Sequence, residues 1–198
     1  MKRGRLVRGS GAQPGDCLVL TKGIAIEGTA VLAREAGEAL QRLGVAAPVL
    51  EEARGYIFRP GLSVVREALL AVESAPVHAM HDPTEGGLAT ALHELATAGG
   101  VGITLQEAAV PVLPCTEAIC RAAALEPLGL LASGALLIAV PENHCEPLLA
   151  RLTEADIAAA CIGVVTQQSA GVIMERRTEN REPLPQFARD EVARFLAQ

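Results

Sequence analysis

Between Pro76 and Leu105 the apolar residues change period twice, and this alternation constrains the fold more than any other feature of the chain. Val77-His78-Ala79-Met80 is short and mostly apolar, as a strand is. Asp82-Pro83-Thr84-Glu85-Gly86-Gly87 carries turn chemistry, and Leu88, Leu92 and Leu95 then follow at helical spacing. Gly99-Gly100 stops the helix, and Val101-Gly102-Ile103-Thr104-Leu105 returns as a strand. Such a strand–helix–strand unit lays a helix on a sheet, with a right-handed crossover where the strands are parallel.

The pattern recurs downstream. Ala135 to Val140 is a continuous apolar strand, a helix runs from about Asn143 to Thr153, and a strand follows around Cys161 to Val165. Cys17 to Leu20 is another buried strand, and a helix is expected from Thr29 to Leu43 with Leu32, Ala36, Leu40 and Leu43 on one face. Residues 44–61, punctuated by Pro48, Gly55, Pro60 and Gly61, read as irregular. Ser63 is expected to cap a helix that turns Val65, Leu69 and Val72 toward the core. A short helix near Cys115 to Ala124, a partly exposed strand from Gly171 to Glu175 and a terminal helix over 188–197 complete the pass. The expected fold class is α/β: a single domain over 14–178, with a mixed β-sheet covered by helices. A basic lead over 1–13 precedes it, and a tail over 179–198 with a short helix follows.

Composition narrows the function classes. A chain of 198 residues that is 50% hydrophobic buries one sizeable core, and with 2% aromatics that core is aliphatic and alanine-rich. No run of about 18 uncharged apolar residues exists, so no transmembrane helix is expected. The basic lead opens onto no apolar segment, so no secretory signal is expected, and a cytoplasmic placement is expected. A net charge of −6 argues against general nucleic-acid binding. The basic clusters at Lys2, Arg3, Arg5 and Arg8, and at Arg176, Arg177 and Arg181, read as solvated termini and loops. Five cysteines without C-x-x-C spacing read as reduced thiols, with Cys17 and Cys161 as buried small hydrophobes.

The acids carry more information. Only four aspartates occur (Asp16, Asp82, Asp156 and Asp190), each isolated, so no carboxylate cluster is expected to hold Mg-nucleotide here. No metal site is expected either. His78 and His81, three apart on a strand, point to opposite faces, and His93-Glu94 lacks the second histidine of H-E-x-x-H. No catalytic residue is expected within the chain.

One segment is suited to an anion, and a second bears comparison with it. Asp82 is expected to cap the helix with Pro83 at its first position, while Gly86 and Gly87 let an anion approach the N–H groups at the helix start. Thr84 belongs to the same turn. The second segment, Thr21-Lys22-Gly23-Ile24-Ala25-Ile26-Glu27-Gly28-Thr29, is a glycine-containing loop that lacks the P-loop pattern.

The string MHDPTEGGLATALHELATAGGVGITL resembles the C-terminal domain of the aminoimidazole ribonucleotide (AIR) synthetase superfamily. That superfamily includes selenophosphate synthetase, thiamine-monophosphate kinase and the hydrogenase-maturation carbamoyl dehydratase. GDCLVLTKGIAIEGTAVLARE, Val110-Pro111-Val112, Ser133-Gly134-Ala135-Leu136-Leu137 and Ile162-Gly163-Val164-Val165 extend the likeness in collinear order over about residues 10 to 175. The turn is most like that of the maturation branch, roughly R-D-P-T-R-G-G-L, with His81 and Glu85 standing where arginines are typical. The resemblance implies the substrate side of an ATP-dependent phosphoryl-transfer enzyme. It implies that Asp82, Thr84, Gly86 and Gly87 hold an anion, that Lys22 meets a phosphate, that Glu27 meets a ligand hydroxyl or metal, and that Gly28 shapes the cleft wall. No cofactor is expected in this chain. Mg-ATP is implied for the complete two-domain protein, bound by an Asp- and Gly-rich N-terminal domain with no counterpart in these residues.

The implied partner is that ATP-binding domain, in the same full-length chain or a separate one; surface left bare without it would suit a homodimer. The maturation enzymes end in a cysteine that accepts the carbamoyl group, whereas this sequence closes on RDEVARFLAQ and its last cysteine is Cys161. By that comparison it is not expected to perform the maturation chemistry in cis. The alternative reading is a free-standing, non-catalytic binding or regulatory module that keeps an anion-binding helix N-terminus.

Overall fold

The computed structural model describes residues 6–178 and 180–197; Lys2, Arg3 and Arg5 of the basic lead lie outside them. The strands are β1 (Asp16–Thr21), β2 (Ala79–His81), β3 (Gly102–Gln106), β4 (Leu137–Pro141), β5 (Ala159–Thr166), β6 (Val172–Glu175) and β7 (Arg181–Pro183). The helices are α1 (Ile26–Glu35), α2 (Gly37–Arg42), α3 (Ala47–Arg54), α4 (Val65–Ser74), α5 (Gly87–Gly99), α6 (Pro114–Ala123), α7 (Glu142–Glu154) and α8 (Glu191–Leu196). The strands form one mixed sheet in the order β2-β4-β1-β5-β3-β6-β7. Every neighbouring pair is antiparallel except β3 and β6.

β1 and β4 are buried on both faces, which is why they read as unbroken apolar runs rather than alternating ones. Leu18, Leu20, Leu137 and Ala139 point into the larger core with Leu32, Leu50, Leu88, Leu92, Leu95 and Ile119. Val19, Ile138 and Val140 point the other way, onto Ala71, Leu148 and Leu152 of α4 and α7. The period-2 geometry of a strand thus divides the molecule into two helical layers. The two strand–helix–strand units are both present. β4 and β5 run in one direction on either side of β1, and β2 and β3 run parallel with β4, β1 and β5 between them.

Several expectations are corrected. The helix expected from Thr29 to Leu43 is two helices, broken where Ala36 leaves the helical conformation at φ −127°. Residues 44–61 are not irregular: they hold α3, and Pro48 sits in its first turn, where a missing N–H is harmless. The tail contributes β7, paired to β6, as well as a helix. Ser63 does not cap α4, whose N-cap is Val64. Val65, Leu69 and Val72 do not face the core; they are 63%, 57% and 41% exposed. Ala68, Leu70, Ala71 and Ala75 pack inward instead, onto the cluster formed with α7 and the sheet. Among the described residues, no helix is long and apolar enough to cross a membrane.

Candidate functional site

The first turn of α5 differs from its sequence reading. The N-cap is Gly86, not Asp82, and Asp82 is exposed ahead of the turn while Pro83 is buried. Gly86 and Gly87 both have positive φ (+73° and +68°), and the helix starts at the second of them. The glycines also set spacing. A Cβ on Gly87 would lie 2.3 Å from the Leu128 carbonyl oxygen and 2.8 Å from that of Leu130. The helix start is therefore pressed against the 128–134 segment.

The anion at this helix start is the chain's own. Gly86 N–H donates to Asp190 Oδ2 at 2.7 Å, while Asp190 Oδ1 caps α8 by accepting from Val192 N–H at 2.8 Å. Beside it, Glu191 Oε2 accepts from Glu126 N–H at 3.0 Å. The hydrogen bond donated by Arg194 holds the Glu191 carboxyl below the usual carboxylate range, and the Glu126 amide adds to that. Sequence reasoning missed Asp190. Its only signal was an Asp-Glu pair at the start of a terminal helix, which says nothing of a partner 104 residues away. Asp190→Ala removes a cap and the Gly86 acceptor together, with an expected loss of about 1–3 kcal/mol measured by urea unfolding.

Residues 131–134 join the two candidate segments. On one side, Ala132 N–H donates to the Thr84 carbonyl at 3.1 Å. On the other, Gly28 N–H donates to Leu131 at 2.9 Å and Glu27 N–H to Ser133 at 3.3 Å. Glu27 is half-buried in the first turn of α1. A Cβ on Gly28 would meet Leu130 Cγ and the Leu131 carbonyl oxygen at 2.8 Å, so this position too is a close approach. Gly134 reaches the third element: a Cβ there would lie 3.1 Å from the Gly61 carbonyl oxygen.

That same carbonyl accepts from Lys22. The Lys22 ammonium donates to Gly61 at 3.0 Å and to Ser63 at 2.8 Å, and it pairs with Glu67 Oε1 at 3.0 Å, with both side chains buried. Three donors and three partners leave none for a phosphate. Lys22 is thus a strut between the end of β1 and the 61–67 segment. It lines a cleft of about 870 Å³ whose wall also carries Tyr56, Arg59, Arg66 and Asp156. Arg59 and Arg66 are exposed. The histidines do not converge: His78 Nδ1 lies 2.9 Å from Asp16 Oδ1, and His81 Nε2 lies 2.9 Å from Glu94 Oε2.

The fold defines an α/β domain in which the Asp82–Gly87 turn and the Lys22–Gly28 segment are both hydrogen-bonded to the 131–134 loop. The family is explicit in the sequence comparison. Residues 13–175 match the family described as AIR synthase related protein, C-terminal domain, and the chain belongs to it. The chain is 34% identical over 150 residues to the carbamoyl dehydratase HypE of Cupriavidus necator, covering 75% of this chain and 39% of that protein. The solved structure of Escherichia coli HypE matches with a TM-score of 0.76 at 24% identity, over 96% of this chain and 55% of that one. At that identity the likeness shows the fold alone. A hydrogenase maturation protein HypE solved in complex with ATP matches with a TM-score of 0.68 at 27% identity, over 94% of this chain and 55% of that one. The chain therefore spans between about two fifths and just over half of these relatives.

Proposed function

We propose that residues 14–178 form the substrate-side half of an ATP-dependent phosphoryl-transfer enzyme related to the hydrogenase-maturation proteins, acting in the cytoplasm. The ATP-binding half is supplied from outside these 198 residues, by the same polypeptide or by another. One observation carries this reading: the 131–134 loop ties the Asp82–Gly87 turn and the Lys22–Gly28 segment into one surface, where a helix N-terminus already holds a carboxylate. Family membership and the partial coverage of the HypE relatives support it.

Phosphoryl transfer asks mainly for positioning and charge neutralisation. Bound Mg-ATP supplies the phosphoryl group in the complete enzyme. The Gly86 N–H and the positive end of α5 orient an anionic substrate group, which competes with Asp190 for that donor. Thr84 borders the turn. Glu27, in the first turn of α1, accepts from a substrate hydroxyl or meets a metal ion in this reading. Lys22 acts indirectly, by fixing the Gly61 carbonyl against which Gly134 packs.

Mg-ATP hydrolysis by the purified 198-residue chain is expected to stay at background. Hydrolysis is expected to appear when an AIR synthase-type N-terminal domain is joined to it or added. Turnover by the chain alone would overturn the assignment. One observation favours a second reading, the free-standing module: the tail itself satisfies Gly86 through Asp190. That reading gains if the combined domains hydrolyse no ATP while the chain alone still binds phosphate.

A further inference from the structure

Cys17, Cys145 and Cys161 are far apart in sequence, yet their sulfurs all lie within 4.8 Å of one another. Two different periodicities bring them together. Cys17 stands two residues before Val19 in β1, and Val19 pairs with Cys161 of β5, so both cysteines share the face that α7 covers. Ile162 is an extra residue in β5 at this point, between the Val19–Cys161 and Leu18–Gly163 pairs. Such bulges re-aim side chains. On α7, Cys145, Leu148 and Leu152 follow at i, i+3 and i+7, and that stripe lies on the sheet. Cys145 is buried, whereas Cys17 and Cys161 are half-exposed, which corrects their expected role as buried small hydrophobes.

We propose that Cys17, Cys145 and Cys161 form a three-thiolate site for a thiophilic d10 metal ion of the zinc class, on the face of the sheet opposite α5. The dimensions fit. An ion at the centre of a triangle with 4.8 Å sides lies about 2.8 Å from each sulfur, and a zinc–sulfur bond is about 2.3 Å, so each sulfur moves inward by no more than about half an ångström. Each thiol releases its proton to solvent as its sulfur binds. The surroundings favour a cation. Glu142 and Glu146, both on α7, place negative charge near Cys17 and Cys161 respectively. Three protein ligands leave one tetrahedral position for water or an incoming ligand, and the half-exposed Cys17 and Cys161 leave a path to it.

The other two cysteines serve as internal controls. Cys115 and Cys120 are buried in the opposite core, away from the three clustered sulfurs. The test is titration of the reduced chain with Co2+ under exclusion of air, followed by zinc. About one equivalent of Co2+ is expected to give a thiolate-to-metal charge-transfer band that zinc displaces. Losing an outer-shell partner already weakens metal sites by up to about 100-fold, so C17S, C145S and C161S are each expected to weaken binding by at least that much. C120S is expected to leave it unchanged. Absence of the band at one equivalent, or its survival in C145S, overturns the site. Far-UV circular dichroism checks each variant. Should C145S fail to fold, C17S and C161S at the half-exposed positions decide, and a band persisting in both overturns the proposal.

Discussion

Replacing Lys22 by methionine is expected to destabilise the chain by about 3–5 kcal/mol, the usual loss when one partner of a buried ion pair is removed. The size follows from what remains behind. Glu67 is 5% exposed and would keep a buried carboxylate without its counter-ion. The Gly61 and Ser63 carbonyls would each lose a charged donor. Adding Glu67→Met to the first substitution removes the orphaned charge and is expected to restore part of the loss. Urea unfolding of the two single variants and the double variant measures this. A Lys22→Met loss below about 1 kcal/mol would show that the pair is not the strut the geometry describes. Because Gly61 supports Gly134, loosening of the 131–134 loop should accompany the loss and appear as faster amide exchange there.

Gly87→Ala is the second large effect, expected at about 2–6 kcal/mol. Two terms add: an L-residue held at φ +68° costs about 1–3 kcal/mol, and forcing extra volume into a packed site typically costs about 1–3 more. The obstruction is the Leu128 backbone oxygen at 2.3 Å, which has no rotamer to escape into. Gly44 is the contrasting position. It also has positive φ (+94°), but a Cβ there meets nothing within 4 Å, so Gly44→Ala is expected to cost only the conformational term, about 1–3 kcal/mol. Thermal unfolding of both variants separates strain from collision. Equal losses would mean that the contact with the 128–134 segment is unimportant, and with it the close seating of the α5 start on the candidate surface.

The unit between Pro76 and Leu105 was legible because its signals are local. Leu88, Leu92 and Leu95 repeat at 3.6 residues and all three are buried, as that period requires of the face against a sheet. The unbroken apolar runs of β1 and β4 announced strands covered on both sides. The start of α5 was misread at the same level. Asp82 and Pro83 carry the residue preferences of a helix start, but the consecutive positive-φ glycines after them delay it to Gly87. The candidate surface was legible only as two separate segments. Nothing local in either one names the 131–134 loop that joins them, or the Asp190 carboxylate that occupies the Gly86 N–H.

Helix α4 marks the boundary between the two kinds of information. Hydropathy along its sequence favoured Val65, Leu69 and Val72 as the inner stripe. The tertiary structure instead packs Ala68, Leu70 and Ala71 against the cluster that α7 and the sheet share, and leaves Val65, Leu69 and Val72 exposed. The cysteines follow the same rule: periodicity assigns each sulfur to a face of its own element, while the register of β1 on β5 and the seating of α7 bring three of them within 4.8 Å. Local sequence thus determined which residues share a face, through repeats of 2 and 3.6 residues fixed by backbone geometry. Which faces meet was decided by contacts between residues distant in the chain, where packing distance and hydrogen-bond partners outweigh local preference.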